Sequence, residues 1–340
     1  MNAPAVTDIL GRPVRDLRLS VTDRCNFRCT YCMPKELFGA AYRFLPRAEI
    51  LSFEELTRVV TLMAQLGVEK VRITGGEPLV RAKVEDLVAE IRKVPGIKDI
   101  AMTTNGSLLT PERAVRLKEA GLSRVTVSLD SLDDAVFKSM NDVGFPVARV
   151  LAAIHTALET GLTPLKVNAV IKRGVNLDSV LPLAEHFRGT PVIVRFIEFM
   201  DVGSTNGWRL NDVVSAKEIL EMISDRWPLE PVAPARPGEV ARRYRYMDGE
   251  GEIGVIASVT LPFCGGCSRA RLSPEGLLYT CLFGNRGHDL RALLRGGASD
   301  DEIREQLRAI WTHRSDRYSE TRTSETSRDP HRIEMSHIGG

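Results

Sequence analysis

Six short β-rich segments, separated by segments with helical periodicity, constrain the fold of this 340-residue chain more than any other feature. The predicted strands cover residues 16–21, 68–74, 98–104, 123–129, 164–171 and 191–198. Between the first two, Ser52-Phe53-Glu54-Glu55 forms a capping box, and apolar residues follow it at helical spacing. Thr110-Pro111 supplies a second helix start, with proline at the first helical position. Strands that alternate with helices in this way predict a β/α repeat with a parallel sheet.

The predicted strands alternate apolar and polar residues, as in Leu17-Arg18-Leu19. Strands of a parallel sheet that is covered on both faces usually read as continuous apolar runs instead. The apolar side must pack on helices, so the polar side must face water or a ligand. In a barrel that place is the lumen, whereas a solvent-exposed sheet edge could explain only one such strand. We therefore expect a binding chamber lined by Arg18, Arg72, Thr103, Ser128 and Lys166.

The repeat ends at Met200, and a different pattern follows. A helix is expected at 215–225, a proline-rich stretch covers 228–238, and a second helix is expected at 300–311. Short strands are predicted between these features, at Tyr244–Met247, Gly254–Val259, Arg271–Ser273 and Leu277–Leu282. We predict two units, a barrel over 1–212 and a C-terminal module over 213–340. The tail from Thr312 is rich in Arg, Ser and Thr, a composition that often gives disorder.

Composition and charge exclude several classes of protein. With 43% hydrophobic and 26% charged residues, the chain has the composition of a folded globular protein rather than a disordered one. No apolar run is long enough for a membrane span, and the first 25 residues contain no apolar segment of the secretory type. The net charge of +2 gives no reason to expect nucleic acid or a membrane surface as a partner. We expect a cytoplasmic protein.

The N-terminal cysteine group consists of Cys25, Cys29 and Cys32, in a C-x3-C-x2-C pattern directly after the first strand. Active sites of β/α barrels lie at that end of the strands. Thiolates are ligands of zinc and of iron-sulfur clusters. Three thiolates without a nearby fourth ligand leave one coordination position open for a substrate or cofactor. The alternative is a structural zinc completed by a distant residue such as His155 or His186.

The C-terminal cysteine group, Cys264, Cys267 and Cys281, also offers three thiolates. Its spacing could be that of a zinc ribbon with His288 as a fourth ligand. Two arginines follow the first two cysteines, at positions 269 and 271, and on an extended segment these side chains point the same way. A pair of guanidinium groups beside a cluster is suited to clamp an anion.

The motifs around the first two strands resemble those of the radical S-adenosylmethionine enzymes. In that superfamily the C-x3-C-x2-C loop holds a [4Fe-4S] cluster, and S-adenosylmethionine chelates its fourth iron. Tyr31 stands at the aromatic position that lies near the adenine. Thr74-Gly75-Gly76-Glu77-Pro78 matches the motif that meets the amino group of the cofactor. Two glycines allow the backbone to approach a ligand closely, and Glu77 offers an acceptor to an ammonium group.

Together the motifs resemble the GTP 3′,8-cyclase family of molybdenum cofactor biosynthesis, over nearly the whole chain. The matching segments are Gly11–Arg18, Arg195–Asp201, Cys264–Arg271 and the final Gly-Gly pair. The resemblance implies a radical enzyme, a lyase that converts GTP to (8S)-3′,8-cyclo-7,8-dihydroguanosine 5′-triphosphate. It implies an incomplete (β/α)6-type TIM barrel and a C-terminal module with a second [4Fe-4S] cluster, whose open iron touches guanine.

The resemblance also assigns roles to individual residues. The residues that match GTP contacts are Arg18, Arg72, Thr103, Lys166, Arg269 and Arg271. Those that match contacts to S-adenosylmethionine are Tyr31, Gly76, Ser128 and Met200. Arg269 and Arg271 are also expected to serve catalysis, together with Gly339 and Gly340, because family members insert the terminal pair into the active-site chamber. A flavodoxin-like or ferredoxin-like electron donor is implied, as is a cyclic pyranopterin monophosphate synthase that receives the product. We expect a monomer or homodimer.

Two other classes of protein compete with this interpretation. The first is a radical enzyme with an auxiliary cluster that modifies a peptide, which the arginine-rich lumen disfavours because a peptide carries no triphosphate. The second is a two-cluster electron carrier without catalysis. A carrier should supply four cysteines to each cluster, and this chain supplies three.

Overall fold

The computed structural model describes residues 6–236, 238–323 and 332–339. Within these ranges, twelve strands form one continuous sheet in the order β12-β11-β10-β1-β2-β3-β4-β5-β6-β9-β8-β7. The strands are β1 Asp16–Ser20, β2 Lys70–Thr74, β3 Asp99–Thr104, β4 Arg124–Ser128, β5 Lys166–Ile171, β6 Ile193–Glu198, β7 Leu229–Val232, β8 Arg242–Tyr246, β9 Glu252–Ile256, β10 Arg269–Leu272, β11 Leu277–Tyr279 and β12 His288–Asp289.

Helices connect the parallel strands and continue into the C-terminal part. They are α1 Phe53–Gln65, α2 Val84–Arg92, α3 Pro111–Ala120, α4 Asp134–Asn141, α5 Val147–Glu159, α6 Val180–Phe187, α7 Ala216–Ser224, α8 Leu290–Arg295, α9 Asp300–Thr312, α10 Tyr318–Thr321 and α11 Met335–Ile338. The predicted capping box at Ser52 is confirmed, with both reciprocal bonds to Glu55. Thr110 caps α3, whose first residue is Pro111. No helix in these described ranges is both long and apolar enough to cross a membrane.

The six predicted strands of the β/α repeat are confirmed as β1 to β6, with boundaries within two residues at either end. Neighbouring strands in this series all pair in parallel. Their apolar side chains face the helices, and Leu17 and Leu19 of β1 are completely buried there. The sheet does not close on itself, because the chain leaves β12 and β7 as edges. The predicted incomplete barrel of α/β class is thus confirmed.

The C-terminal part extends this sheet at both ends, which the sequence did not indicate. Strand β10 pairs in parallel with β1, while β9 pairs in parallel with β6. Antiparallel hairpins then add β11 and β12 on one side and β8 and β7 on the other. The edge strand β7 lies in the proline-rich stretch, where Pro231 is tolerated because an edge strand can lack an N–H donor. The division into 1–212 and 213–340 stays a prediction.

The end of the chain is folded in its described part, contrary to the disorder that its composition suggests. Residues 332–339 include α11, which contacts β1. Ile338 is completely buried, and Ser336 is nearly so. The reason is chemical: several polar side chains of this segment have specific partners inside the protein, as described below. Gly340, predicted to act with Gly339, lies outside the described residues.

Candidate active site

A cavity of about 290 Å³ occupies the barrel lumen, and residues from both parts of the chain line it. All six cysteines contribute to the lining. So do the predicted GTP and cofactor contacts Arg18, Tyr31, Arg72, Gly76, Thr103, Ser128, Lys166, Met200, Arg269 and Arg271. Gly339 reaches the same region, because its carbonyl accepts a hydrogen bond from the Arg271 guanidinium. The structure therefore brings together every predicted site residue that it describes.

The N-terminal cysteine group lies on a loop that other parts of the chain hold firmly. The Arg28 guanidinium donates to the carbonyls of Cys25 and Phe38, at 2.8 and 2.7 Å. The buried Phe27 ring packs against the rings of Phe137 and Phe145. Burial, with a smaller contribution from Glu77, raises the pKa of Cys25 to about 12. Burial also raises the pKa of the two other thiols of the group, so metal binding must displace their protons.

The Gly75-Gly76-Glu77 motif packs directly against the chain that leads into this loop. The amides of Gly76 and Glu77 donate to the carbonyls of Thr22 and Arg24, at 2.8 and 2.9 Å. A Cβ at Gly76 would collide with the Arg24 backbone, and one at Gly75 would lie 2.6 Å from the Thr22 carbonyl oxygen. The sequence suggested close approach to a ligand, whereas the structure shows a close approach to the cysteine loop. Each glycine thereby fixes the position of that loop.

The Glu77 carboxylate is buried, and groups of its own chain bind it. It accepts hydrogen bonds from the Thr104 hydroxyl at 2.8 Å, the Asn105 amide at 2.7 Å and the Leu79 amide at 3.0 Å. Burial raises the pKa of Glu77 to about 7 despite these bonds. A nearby cation would stabilise the charged form of this buried carboxylate. Glu77 therefore favours a cationic group in the adjoining cavity.

Tyr31 has a partner that the sequence did not reveal. Its hydroxyl donates to Asp130 at 2.8 Å, and Asp130 also accepts from the Val170 amide at 2.9 Å. Burial raises the pKa of Asp130 to about 6. Asp130 follows β4 and so lies at the carboxyl end of the sheet, the position that could have indicated a site residue. This bond fixes the Tyr31 ring beside the N-terminal cysteine group.

The C-terminal cysteine group has guanidinium neighbours instead. The side chains of Arg269 and Arg314 approach the Cys267 sulfur at 3.2 and 3.1 Å. Burial alone would raise the pKa of Cys267, but these two charges lower it to about 6. Arg314 is itself buried and also donates to the Cys267 carbonyl at 2.7 Å. Sequence reasoning missed Arg314, because it stands in a polar segment with no motif around it.

Arginines on three neighbouring strands form a row in the lumen. Strand register places Arg18 directly opposite Arg271 on one side and Arg72 on the other. Burial, reinforced by these neighbours, holds the pKa of Arg18 well below its usual range. Buried guanidinium nitrogens of Arg18 and Arg269 have no hydrogen-bond partner. Asp16 lies in the same cavity and acts on these arginines, but it is already bonded to Lys70 at 2.7 Å. A buried cationic row with unpaired donors is costly, so it favours a further anion.

Two more cations extend this row across β5 and β6. Burial, together with Arg195 and Arg124, lowers the pKa of Lys166 to about 7. Burial likewise lowers the pKa of Arg195 to about 9. The Arg195 side chain donates to Asn168 at 2.9 Å and thus stays within the lumen. Arg195 stood inside a recognised motif, but that motif gave no reason to assign it to the anion site.

The donor sets fit iron-sulfur clusters better than structural zinc. All six cysteines are free thiols, and no histidine lines the cavity among the described residues. His155 is exposed and pairs with Glu159, while His288 lines a separate hollow. Within the described ranges, no three Cys, His, Asp or Glu side chains are grouped around one metal-ion position. A cubane cluster needs no such grouping, because its thiolates bind different irons.

The partial barrel and the cysteine loop after its first strand define a radical S-adenosylmethionine enzyme. Residues 19–187 match the model of the Radical SAM superfamily, and residues 192–320 match that of Molybdenum Cofactor Synthesis C. A solved structure of similar fold is Streptococcus suis SuiB bound to S-adenosylmethionine. Its TM-score is 0.62 at 15% identity, with 89% of this chain and 69% of that one covered.

Curated relatives narrow this class to one family. A GTP 3′,8-cyclase of Acidothermus cellulolyticus is 52% identical, with 98% of this chain and 99% of the relative covered. A GTP 3′,8-cyclase of Staphylococcus aureus is 48% identical over the same shares of the two chains. The chain belongs to the GTP 3′,8-cyclase family. Its predicted cofactors, S-adenosylmethionine and two [4Fe-4S] clusters, are thereby confirmed.

Proposed function

We propose that the two ends of the lumen bind two ligands of opposite charge during the cyclisation of GTP. The N-terminal cysteine group, with Glu77 and Asp130 beside it, receives S-adenosylmethionine. The C-terminal cysteine group, with the arginine row beside it, receives GTP. The observation that carries this proposal is the buried row of Arg271, Arg18 and Arg72, in which a nitrogen of Arg18 has no partner and the neighbouring carboxylate of Asp16 is already bonded to Lys70.

Cys25, Cys29 and Cys32 would hold the N-terminal cluster, which together with S-adenosylmethionine would supply the radical chemistry that joins C3′ of GTP to guanine C8. The residues of the chain orient the two ligands for this chemistry. Tyr31, fixed by Asp130, stands where the adenine is expected. Ser128 and Met200 line the same part of the cavity and are proposed as further cofactor contacts.

The triphosphate is proposed to satisfy the donors that the structure leaves unpaired. Arg18 and Arg269 present buried nitrogens without a partner. The Arg72 side chain is aimed by hydrogen bonds to the Thr103 and Thr126 hydroxyls, at 3.0 and 3.2 Å. Thr103 therefore contributes by orienting Arg72 as well as by lining the cavity. Guanidinium groups suit this task because they bind phosphate oxygens in pairs.

Gly339 is proposed to complete the wall of the lumen next to the reacting groups. It is buried, its φ of 76° lies in the left-handed region, and a Cβ there would collide with the Thr74 side chain. Only glycine fits this position without displacing β2. The Gly339 carbonyl accepts a hydrogen bond from the Arg271 guanidinium and so orients that group toward the lumen. Gly340 is proposed to act with it.

The reaction needs partners outside the chain. We propose that a flavodoxin-like or ferredoxin-like protein supplies the two electrons that the reaction needs, one for cofactor cleavage and one, with a proton, for the cyclised radical. A cyclic pyranopterin monophosphate synthase is proposed to consume the product. Six free thiols suit a reducing compartment, which supports the predicted cytoplasmic location.

Product analysis on anaerobically reconstituted protein tests the proposed function. Incubation with GTP, S-adenosylmethionine and dithionite should give 5′-deoxyadenosine together with a cyclised triphosphate isomeric with GTP, detected by mass spectrometry. Iron should be found at about eight atoms per chain, as two four-iron clusters require. Stoichiometric zinc with little iron would contradict the cluster assignment. Deoxyadenosine without any GTP product would favour a radical enzyme with another substrate, and no deoxyadenosine at all would favour an electron carrier.

A further inference from the structure

The C-terminal strap, defined here as residues 332–339, is bound at several points along its length. Arg332 bonds to Asp201, Glu334 to the loop at 203–205, and His337 to Glu275 at 2.7 Å. The Ile333 amide also donates to the Gly284 carbonyl, near Cys281. The strap therefore crosses from the loop after β6 to the strands that carry the arginine row.

Asp201 is the buried centre of the first attachment point. Its side chain accepts from the Tyr318 hydroxyl at 2.6 Å, from Arg322 at 3.0 Å and from Arg332 at 3.0 Å. Arg332 also donates to the Asp201 carbonyl at 2.5 Å. Asp201 and Arg332 are exposed by only 1% and 5%. Removal of Asp201 would leave the Arg332 charge buried without a counter-charge, whereas removal of Arg332 would leave Asp201 with Arg322 as its remaining cationic partner. A surface tail has no need of such an ion pair.

Glu334 forms the second attachment point. Its carboxylate accepts from the Ser204 amide at 2.9 Å, the Ser204 hydroxyl at 3.1 Å and the Thr205 hydroxyl at 2.8 Å. Gly203 lies directly beneath this carboxylate with a φ of 75°, and a Cβ there would collide with Glu334. The loop is thus shaped to receive a carboxylate from the strap.

Both attachment points lie on the loop that begins with Met200, a lining residue of the lumen. At its other end the strap places the Gly339 carbonyl on Arg271, within the arginine row. The segment between these ends is short, because only four residues separate Glu334 from Gly339. The position of Gly339 therefore depends on how the start of the strap is fixed.

We propose that Arg332 and Glu334 are positioning residues, which hold the strap on the loop at 201–205 so that Gly339 orients Arg271 in the lumen. This inference rests on the proposed function for its catalytic consequence only. The attachment of the strap to the loop is seen in the folded chain and does not depend on the proposed function. Neither residue lines the cavity, so loss of either attachment should leave both cysteine groups in place. The Glu334 charge also acts on Cys32, so the Arg332 variant is the one that decides whether cofactor cleavage persists.

The test compares Arg332→Gln and Glu334→Gln with the matched control Arg317→Gln, which loses an exposed ion pair to Glu320. Hydrogen exchange of the peptide at 332–339 is measured on the reconstituted holoenzyme without GTP. Loss of a charge-assisted bond should speed exchange there about tenfold or more, with little change elsewhere. The control should exchange like the wild type. Arg332→Lys, which keeps a positive charge near Asp201, should recover part of the protection.

The second readout is the ratio of cyclised product to 5′-deoxyadenosine. It should fall about tenfold in both variants, because cofactor cleavage continues while capture of GTP fails. Unchanged exchange of the strap in both variants would overturn the proposal. An equal loss of deoxyadenosine and product would also overturn it, since the residues would then support the whole site. If the wild type makes no cyclised product, the proposed function is wrong. The hydrogen-exchange data would still show whether Arg332 and Glu334 hold the strap on the loop.

Discussion

The two cysteine groups supply the same ligands in different electrostatic settings. Glu77 and Asp130 lie near the N-terminal group, where burial and these carboxylates raise the thiol pKa values. In the C-terminal group, Arg269 and Arg314 touch Cys267 and lower its pKa to about 6, whereas burial and Asp316 raise the pKa of Cys281 to about 11. This difference in electrostatic surroundings is not explained by cluster binding alone, because the cysteines of both groups must bind iron as thiolates. We propose that it corresponds instead to the second ligand at each end of the lumen.

S-adenosylmethionine carries a sulfonium and an ammonium group, and GTP carries a triphosphate. Carboxylates prevail around the N-terminal cysteine group, whereas arginines outnumber the carboxylates, such as Asp16, around the C-terminal group and the row. We propose that this chamber distinguishes the two ligands by charge. The separation also keeps each ligand out of the wrong end, since a like charge there would be desolvated without a partner. This charge division is the central claim of our account.

The largest change in product formation is expected when a cysteine of one group is replaced while the other group stays intact. Cys29→Ala should reduce 5′-deoxyadenosine formation to background, because the cofactor has no other cluster to bind. Cys264→Ala should keep dithionite-driven cofactor cleavage while it loses GTP binding and cyclised product. Chromatography of the two products under anaerobic conditions measures both. Complete loss of deoxyadenosine in a folded Cys264→Ala protein would show that the groups do not divide the work.

Deletion of residues 339 and 340 should affect only the end of the lumen that binds GTP. Arg271 loses the carbonyl that orients it, and a misplacement of about 1 Å can lower a rate on the order of a hundredfold. We expect cyclised product to fall by about that factor or more, while iron content and deoxyadenosine formation persist. Gly339→Ala should give a smaller loss in the same direction, since its Cβ meets Thr74. Product at the wild-type rate from the truncated protein would show that the pair is dispensable.

Much of this comparison could be predicted from the sequence, because alternation along a strand fixes which side chains share a face. Arg18, Arg72 and Lys166 followed from that pattern alone. Asp130 and Arg314 did not, because each depends on a contact between distant segments, with Tyr31 and Cys267. The pairing of β9 and β10 with the barrel was not predictable either, since strand order is set by packing that one strand's pattern does not encode. The composition of the tail suggested disorder, but the described part of the tail is folded because its charged side chains pair with other residues of the protein.

The affinity for GTP at the end of the lumen that carries the arginine row should depend on pH. Burial lowers the pKa of Lys166 to about 7 in the free protein, so this amine is mostly neutral at pH 8. A bound triphosphate favours the charged form and raises that pKa, so binding takes up a proton above pH 7. Affinity should then fall as pH rises, by up to about tenfold per pH unit. Calorimetry in buffers of different ionisation enthalpy measures the uptake. Lys166→Arg, which stays charged, should reduce the uptake to what Lys70 contributes, because burial also lowers the pKa of Lys70 in the same cavity to about 7. Unchanged uptake in that variant would exclude Lys166 as a source.

The charge division is tested most directly by titrating both ligands into two variants of the reconstituted enzyme. Arg18→Ala removes a guanidinium from the row, and Asp130→Asn removes a charge while its amide can still bond to Tyr31 and Val170. Arg116→Ala, an exposed residue of α3, is the control for loss of an arginine. We predict that Arg18→Ala weakens GTP binding about tenfold to a hundredfold and leaves S-adenosylmethionine unchanged. Asp130→Asn should weaken S-adenosylmethionine and leave GTP unchanged. Equal losses of both ligands in either variant would contradict the division.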